Sequence, residues 1–229
     1  MRTKLLLTIT TSIFFVFNSN AQIDKGTVLL GGSVNYYSYK SSEPYYYNNY
    51  EFKSNGNAEN IQVGKAIKTN SFAGIILSYY HANNYTTDIS PDSNFNKNTT
   101  FGAGIFYRKY KKLLKDFYFF AEVSGQYRHG EMEQAGATNV YYSTKVTSNG
   151  GTITFTPGIS YAVCKNFQME LLMNEVVSTS YTHTKFNYTS SGTPPVNSDG
   201  KSDSFSINAS LNSNPLYGFA IGFKYFIGK

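Results

Sequence analysis

The 229-residue chain contains no tryptophan and a single cysteine, Cys164. A lone thiol cannot form an intramolecular disulfide, so the fold has to be held by hydrogen bonds and side-chain packing. After residue 21 the chain also lacks any apolar run that approaches the roughly 20 residues of a membrane-spanning helix. The sequence therefore excludes a disulfide scaffold and a bundle of membrane helices.

The first residues predict a secretory signal peptide. Basic residues precede an apolar stretch, 5–17, that is too short to span a bilayer as a helix. Ser19 and Ala21 place small residues at the −3 and −1 positions that signal peptidase requires. We expect cleavage after Ala21, which divides the chain into a signal peptide, 1–21, and one mature domain, 22–229. No cysteine stands directly after the apolar stretch, at the predicted cleavage site, so we expect no lipoprotein anchor.

Composition favours an exported β-protein. The chain has 21 tyrosines and 18 phenylalanines, and aromatic residues favour strands. The formal net charge is only +6, and no helix is predicted to present it, which gives little support to nucleic-acid binding. Export argues further against a nucleic-acid partner, and we expect none.

From residue 26 onward, apolar residues alternate with small or polar ones, which is the period of a strand whose two faces meet different surroundings. In the closing segment, one face carries Phe219, Ile221, Phe223 and Tyr225, and the other carries Gly218, Ala220, Gly222 and Lys224. Eight segments are separated by turn-rich stretches: 26–39, 52–67, 71–82, 98–109, 116–129, 150–163, 166–182 and 203–227. The sequence predicts an all-β fold, an eight-stranded antiparallel up-and-down barrel.

The connections between these segments alternate in length. Short turns are predicted at 68–70, 110–115 and 164–166, and long polar loops at 40–51, 83–97, 130–149 and 183–202. Transmembrane barrels place short turns in the periplasm and long loops outside. This alternation favours a transmembrane barrel with both termini on the periplasmic side.

A soluble barrel of the lipocalin type would show the same strand count and the same alternation. Its outer face, however, would be dense in lysine and glutamate, whereas the polar face of this chain consists mostly of glycine, serine, threonine and alanine. Small residues suit a narrow, filled interior. The chain also lacks the tryptophan near the first strand and the helix after the barrel that lipocalins usually have.

The pattern over 22–229 resembles the small outer-membrane barrels that are similar to the membrane domain of OmpA and to OmpX. Its most specific part is the closing strand, in which Gly222 is followed by Tyr225 and Ile227 three and five places on. This spacing is similar to the signal that the barrel-assembly machinery recognises. The resemblance implies a monomer in the bacterial outer membrane, with membrane lipid and the assembly machinery as partners.

An eight-stranded barrel is just wide enough for its own side chains, so we expect the lumen to be plugged. The predicted inward face carries Arg108, Glu122, Glu170 and Lys224, and a single unpaired charge would be costly to bury there. Because Glu170 and Lys224 fall on neighbouring segments at similar depth, they are expected to pair. A structural ion-pair network is the favoured interpretation, and a proton or ion path is the alternative.

Three histidines fall at the outer ends of odd-numbered segments: His81, His129 and His183. An intervening strand would separate neighbouring members by roughly 10 Å, so we interpret them as solvated rim residues and expect no metal site. A lipid A deacylase places a serine two positions after its histidine. The chain has Asn83, Glu131 and Lys185 at that spacing, and we therefore predict no catalytic residues and no cofactor.

Two surface segments are candidates for interaction. The turn at 108–115 contains one arginine and four lysines, whose simplest interpretation is a solvated turn, although basic residues at a membrane interface also attract anionic head groups. The first long loop contains Tyr45, Tyr46, Tyr47 and Tyr50. Tyrosines with asparagines form adaptable binding surfaces, but these residues could also extend a hairpin. The serine-rich and glycine-rich segment 189–203 is expected to be mobile.

The function that this interpretation favours is a surface barrel of the outer membrane with a structural or adhesive role, in which the outer loops recognise an extracellular ligand that the sequence does not name. A narrow, porin-like channel for small or hydrophobic solutes is the alternative. A lipid A-modifying enzyme is the second alternative.

Overall fold

The computed structural model describes residues 23–45, 48–87, 93–137, 141–173, 175–191, 195–209 and 219–228. The regular elements in these ranges are all β-strands, and the ranges contain no helix that is long and apolar enough to cross a membrane. The predicted signal peptide and its cleavage site lie outside them.

Ten strands are present in the described residues. They are β1 (Val28–Tyr45), β2 (Asn48–Lys68), β3 (Ser71–Thr87), β4 (Ser93–Lys112), β5 (Phe117–Ala137), β6 (Tyr141–Cys164), β7 (Phe167–Met173), β8 (Val177–Ser190), β9 (Val196–Ala209) and β10 (Phe219–Ile227).

Eight of these strands close into an antiparallel ring. Strands β1 to β7 follow one another around it, and β10 lies between β7 and β1. The ring closes through pairs such as Leu30 with Tyr225 and Ser33 with Gly222. Within the closed ring, each strand has a hydrogen-bonded partner on both sides, so the free edges of an open sheet are removed.

The predicted seventh and eighth strands are each divided in the structure. Both β7 and β8 pair with β6, with Leu172 opposite Gly158 and Val177 opposite Phe155, so the chain is longer on the β7–β8 side. The extra length includes Glu175, which has a left-handed φ of 49°. Such a bulge bends a strand.

Above the bulge, β8 and β9 form a hairpin beside β6, whereas β10 occupies the position next to β1. The predicted segment 203–227 is therefore divided between β9 and β10, and 210–218 lies outside the described residues. The alternation of apolar and polar residues predicted that both parts are strands, but it did not predict which strand each part would pair with.

Most residues of the predicted long loops are paired strand. Ser41 pairs with Phe52, Lys145 pairs with Glu133, and the serine-rich segment 189–203 contributes to β8 and β9. The predicted long loops are thus largely strand in the described residues, and the expected mobility of 189–203 stays a prediction. A strand ladder uses backbone groups, so a polar sequence continues it once the register is set nearer the barrel.

Two ends of the barrel can be distinguished. Four hairpins, β1–β2, β3–β4, β5–β6 and β8–β9, project from one end, which we call the hairpin end. The turns at 69–70, 113–116 and 165–166 and both described chain ends lie at the opposite end, which we call the turn end.

Large apolar side chains point outward from the ring. On β10, Ile221 is 51% exposed, whereas Ala220 and Lys224 on the other face are 3% and 1% exposed. Outward-facing side chains of other strands in the ring are similarly exposed, including Ile75, Ile105 and Leu171. Gly218, which was assigned to the inward face, lies outside the described residues. The faces are thus opposite to those of a water-soluble barrel, which would direct its apolar face inward.

Candidate functional site: the barrel lumen

Aromatic side chains fill the lumen at the turn end. Phe72, Tyr110, Phe120 and Phe226 come from four strands and are almost completely buried. The ring centroid of Tyr110 lies 6.0 Å from that of Phe72, 5.7 Å from Phe120 and 6.3 Å from Phe226. Tilted and edge-to-face contacts at these distances are favourable. We call these four residues the aromatic plug.

The segment before β1 covers the plug. Ile23 is buried in the same apolar cluster, and its backbone N–H donates to Asn70 Oδ1 at 2.9 Å. The backbone N–H of Asn70 donates in return to the Ile23 carbonyl oxygen at 3.1 Å. Asn70 has a φ of 59°, which asparagine tolerates better than most residues. The β2–β3 turn therefore holds this segment against the turn end.

Arg108 lies directly above the plug and joins two carboxylates. Its Nε donates to Glu122 Oε2 at 2.7 Å, and its Nη1 donates to Glu170 Oε1 at 2.7 Å. The guanidinium carbon lies 4.3 Å from the centre of the Phe120 ring, which adds a cation–π contact. Nη1 also lies 3.0 Å from the hydroxyl oxygen of Tyr110. The guanidinium is therefore held from several sides.

Lys224 and Gln62 complete this layer. Lys224 Nζ donates to Gln62 Oε1 at 2.6 Å and lies 3.7 Å from Glu170 Oε2. Gln62 Nε2 donates to Glu122 Oε1 at 2.8 Å. We call Gln62, Arg108, Glu122, Glu170 and Lys224 the charged layer. Its two cations and two carboxylates balance, which buried ionised groups require.

Two glycines make room for these side chains. A Cβ at Gly31 would overlap the Lys224 side chain and the Phe223 carbonyl oxygen. A Cβ at Gly158 would overlap the edge of the Phe120 ring. In a lumen this narrow, large residues are accommodated because the facing strand position carries no side chain.

The structure brings together all four residues that the sequence assigned to an inward ion-pair network, Arg108, Glu122, Glu170 and Lys224. It also shows that Arg108, rather than Lys224, is the nearest cation to Glu170. Sequence reasoning missed Gln62 and Tyr110. Gln62 lies between the apolar Ile61 and Val63, and Tyr110 is two positions after Arg108, so strand alternation could have indicated both.

Above the charged layer the lumen widens into a cup of about 1150 Å³ that opens at the hairpin end. Serine, threonine, asparagine and glutamine side chains form about half of its lining, and four tyrosines also contribute: Tyr37, Tyr39, Tyr79 and Tyr80. Examples of their contacts are Ser78 to Gln126 at 2.7 Å, and the hydroxyl oxygens of Tyr37 and Tyr80 at 3.2 Å. Such a surface offers donors and acceptors to a polar ligand.

One ion pair lies in the wall of the cup. Arg128 Nη2 donates to Glu175 Oε1 at 2.5 Å, and both side chains are partly exposed. Glu175 belongs to the bulge between β7 and β8, so the pair connects this bulge to β5, past the intervening β6. A second cavity of about 230 Å³ lies beside it.

The three histidines lie on separate strands at the hairpin end. His81 Nδ1 is 3.1 Å from Thr99 Oγ1, His129 Nδ1 is 2.8 Å from Asn149 Oδ1, and His183 Nδ1 is 2.9 Å from Asp203 Oδ1. Among the described residues, no group of three or more histidine, cysteine, aspartate or glutamate side chains could hold a metal ion.

The Asp203 carboxylate lies in the β8–β9 hairpin and has two side-chain partners. His183 is its first partner, and the Tyr181 hydroxyl donates to the same oxygen at 3.0 Å. These hydrogen bonds, chiefly that with His183, lower the pKa of the Asp203 carboxyl from its ordinary value.

Two tyrosines of the first predicted loop, Tyr45 and Tyr50, lie on the β1–β2 hairpin. Tyr45 pairs with Asn48 and Tyr50 pairs with Glu43 along the backbone. Tyr46 and Tyr47 lie outside the described residues. Nearby, Lys53 Nζ is 2.5 Å from Glu51 Oε1, and this contact, with a second one to Lys40, lowers the pKa of the Glu51 carboxyl.

Comparison with solved structures finds chains of similar fold. No protein-family model and no curated protein matches the chain. The crystal structure of the outer membrane protein OprG from Pseudomonas aeruginosa is similar with a TM-score of 0.42 and 11% sequence identity, over 92% of this chain and 100% of that chain. At this level of similarity the likeness carries no functional argument, and the function has to be inferred from the lumen and the outer face of the barrel.

Proposed function

We propose that this protein is an outer-membrane β-barrel that is closed at its periplasmic end and recognises extracellular ligands at its hairpin end. The observation that carries the proposal is the asymmetry of the lumen. The aromatic plug and the charged layer fill one end, whereas a cup of about 1150 Å³ that is lined by both polar and apolar side chains opens at the other.

The outer face supports a membrane environment. A belt of exposed apolar side chains surrounds the ring and includes Ile75, Leu77, Ile105, Ile159, Leu171 and Ile221. Exposed aromatic side chains border it toward the hairpin end, including Tyr36, Phe101 and Tyr127. An apolar band with aromatic girdles is typical of transmembrane barrels, whose short turns face the periplasm. The hairpin end then faces outward.

A binding role fits the lumen better than a continuous channel. An open pore requires a water-filled passage, but here Arg108 and Lys224 are hydrogen-bonded within the layer and the plug lies beneath them. The cup can admit a ligand from outside without transmitting it. The hairpins add an adhesive surface above the cup, and the proposal assigns no catalytic step to the protein.

Recording from planar bilayers that contain the refolded protein tests the closed end. We expect no sustained conductance steps, because charged side chains and aromatic rings fill the lumen. Steady single-channel conductance of the unmodified protein would instead establish the channel alternative. A heat-modifiability gel on the same preparation checks that the barrel is folded.

Whole-cell adhesion tests the recognition surface. Cells that display the protein should adhere to a polar ligand array, such as immobilised glycans, more strongly than cells that display a variant with Tyr45, Tyr46, Tyr47 and Tyr50 replaced by serine. Equal adhesion of both cell types would show that these four tyrosines do not take part in recognition. Altered lipid A in cells that overproduce the protein would support the enzyme alternative.

A further inference from the structure

We propose that the turn end carries a binding site for anionic phospholipid head groups, formed by six lysines. This site, the basic collar, consists of Lys65, Lys68, Lys109, Lys111, Lys112 and Lys115. The inference rests on the proposed function, because it requires the barrel to lie in a bilayer with its turn end at one surface.

The lysines of the collar lie on β2 and β4, the two strands that flank β3, and in the β4–β5 turn. Lys65 and Lys68 lie at the end of β2, Lys109 and Lys111 lie at the end of β4, and β3 pairs with both strands. Lys115 follows in the β4–β5 turn. The fold therefore gathers lysines that are far apart in sequence onto one side of the turn end.

Charge at this end is not balanced. Of the acidic residues that the structure describes, only Asp24 and Asp116 lie at the turn end. Glu122 and Glu170 are committed to the charged layer. The remaining described carboxylates lie toward the hairpin end or in the wall of the cup. The turn end is therefore basic, and it attracts anions.

Exposed apolar side chains next to the lysines indicate that the bound anions lie at the boundary of the membrane. Lys65 alternates with Val63 and Ile67 on the outward face of β2, and these apolar side chains are 41% and 46% exposed. In the β4–β5 turn, Leu113 and Leu114 are 50% and 70% exposed. Lysine stems can lie along such apolar surface while their ammonium groups reach the polar boundary.

This combination of lysines and exposed leucines selects the occupant. A polyanion dissolved in the periplasm, such as a cell-wall fragment, would neutralise the lysines but leave Leu113 and Leu114 in water. An anionic phospholipid supplies both a phosphate for the ammonium groups and acyl chains for the leucines. The collar therefore fits phosphatidylglycerol or cardiolipin at the membrane boundary.

Lipid selectivity in vesicles tests the collar. The full-length mature protein is reconstituted in phosphatidylcholine, and spin-labelled phosphatidylglycerol or phosphatidylcholine reports the fraction of lipid immobilised at the protein surface. We expect an association constant at least about threefold higher for phosphatidylglycerol at low salt. This preference should disappear in roughly 0.5 M salt, which screens exposed charges.

Matched variants distinguish lipid binding at the collar from a general effect of the protein's net charge. Replacing Lys65, Lys109, Lys111 and Lys115 by glutamine should abolish the selectivity, whereas K97Q/K145Q/K185Q/K201Q, which removes four lysines from the hairpin end, should retain it. Both variants are checked for folding by heat modifiability. Equal immobilisation of the two lipids by the unmodified protein, or loss of selectivity in the hairpin-end variant, overturns the collar.

Two further outcomes separate the collar from the proposed function. If the protein immobilises no lipid of either kind, both the collar and the membrane barrel are overturned. If lipid is immobilised without selectivity while the collar variant loses binding to purified cell-wall sacculi, the barrel stands, and the collar binds an anionic cell-wall polymer instead of phospholipid.

Discussion

Arg108 holds the charged layer together through contacts that lysine could not reproduce. Its planar guanidinium donates from Nε to Glu122 and from Nη1 to Glu170, and its face covers the Phe120 ring. A lysine offers a single point charge without this fork. The two cations and two carboxylates of the layer sum to zero charge, so removing any one of these four side chains leaves the other three with a net charge.

Removal of Lys224 alone should therefore be more harmful than its joint removal with Glu170. Lys224→Met leaves Arg108 to balance two buried carboxylates, and we expect a loss of about 3–5 kcal/mol in unfolding free energy. Lys224→Met with Glu170→Leu restores neutrality and should cost less than the sum of the single changes. Urea unfolding in detergent micelles measures this cycle. Additivity within about 0.5 kcal/mol would show that the two residues do not interact.

Gly31 should not tolerate even a methyl group. A Cβ there would overlap the Lys224 side chain and the Phe223 carbonyl oxygen, so Gly31→Ala should destabilise the barrel by about 1–3 kcal/mol. Gly151 is the matched control, because a Cβ at that position meets nothing within 4 Å. Urea unfolding midpoints of the two variants test this prediction. Equal midpoints would contradict the close contact between Gly31 and the Lys224 side chain.

At the scale of the strand, outward and inward positions should respond differently to charge. Ile221 lies on the exposed face of β10 and is 51% exposed in the isolated chain. In a bilayer, Ile221→Arg should cost roughly 2–4 kcal/mol, since the position lies near the middle of the apolar belt. Thr147→Arg, on the outward face of the β5–β6 hairpin, should cost little. Similar costs in refolded vesicles would mean that the belt does not face lipid.

The β8–β9 hairpin should respond to acid through Asp203. Because His183 and Tyr181 lower the pKa of this carboxyl, the contacts stabilise the hairpin above the ordinary pKa, about 4. They are lost as pH falls through the lower pKa of the folded protein. NMR titration should show the Tyr181 and His183 resonances shifting in that acidic range. Asp203→Asn should abolish these shifts, Asp199→Asn should not, and persistence in Asp203→Asn would exclude Asp203 as the cause.

For the molecule as a whole, the closed end depends on the aromatic plug. Tyr110→Ala with Phe226→Ala empties part of the lumen at the turn end and should produce measurable leak currents in planar bilayers. Phe223→Ala with Tyr225→Ala removes rings of the same kind from the outward face of β10 and should leave the barrel closed. If the plug variant folds and stays silent, the charged layer alone closes the barrel.

The sequence by itself determined the strand class, the facing of the described strands and the identity of the inward charges. These features follow from local alternation, as in Ala220, Ile221 and Lys224, because successive side chains of any strand point to opposite faces. Turn-rich stretches likewise marked where the chain reverses at the turn end.

Only the tertiary structure decided which strands meet and which charges pair. The choice of Arg108 as the nearest partner of Glu170, the contribution of Gln62 and the bulge at Glu175 depend on register between strands that are distant in sequence. The sequence also did not predict that the polar segments pair as hairpins, because backbone hydrogen bonds hold a polar strand as well as an apolar one. The alternation of apolar and polar residues predicts which side chains of one strand point inward. Which inward side chains then touch across the closed lumen depends on the stagger of all strands around the ring.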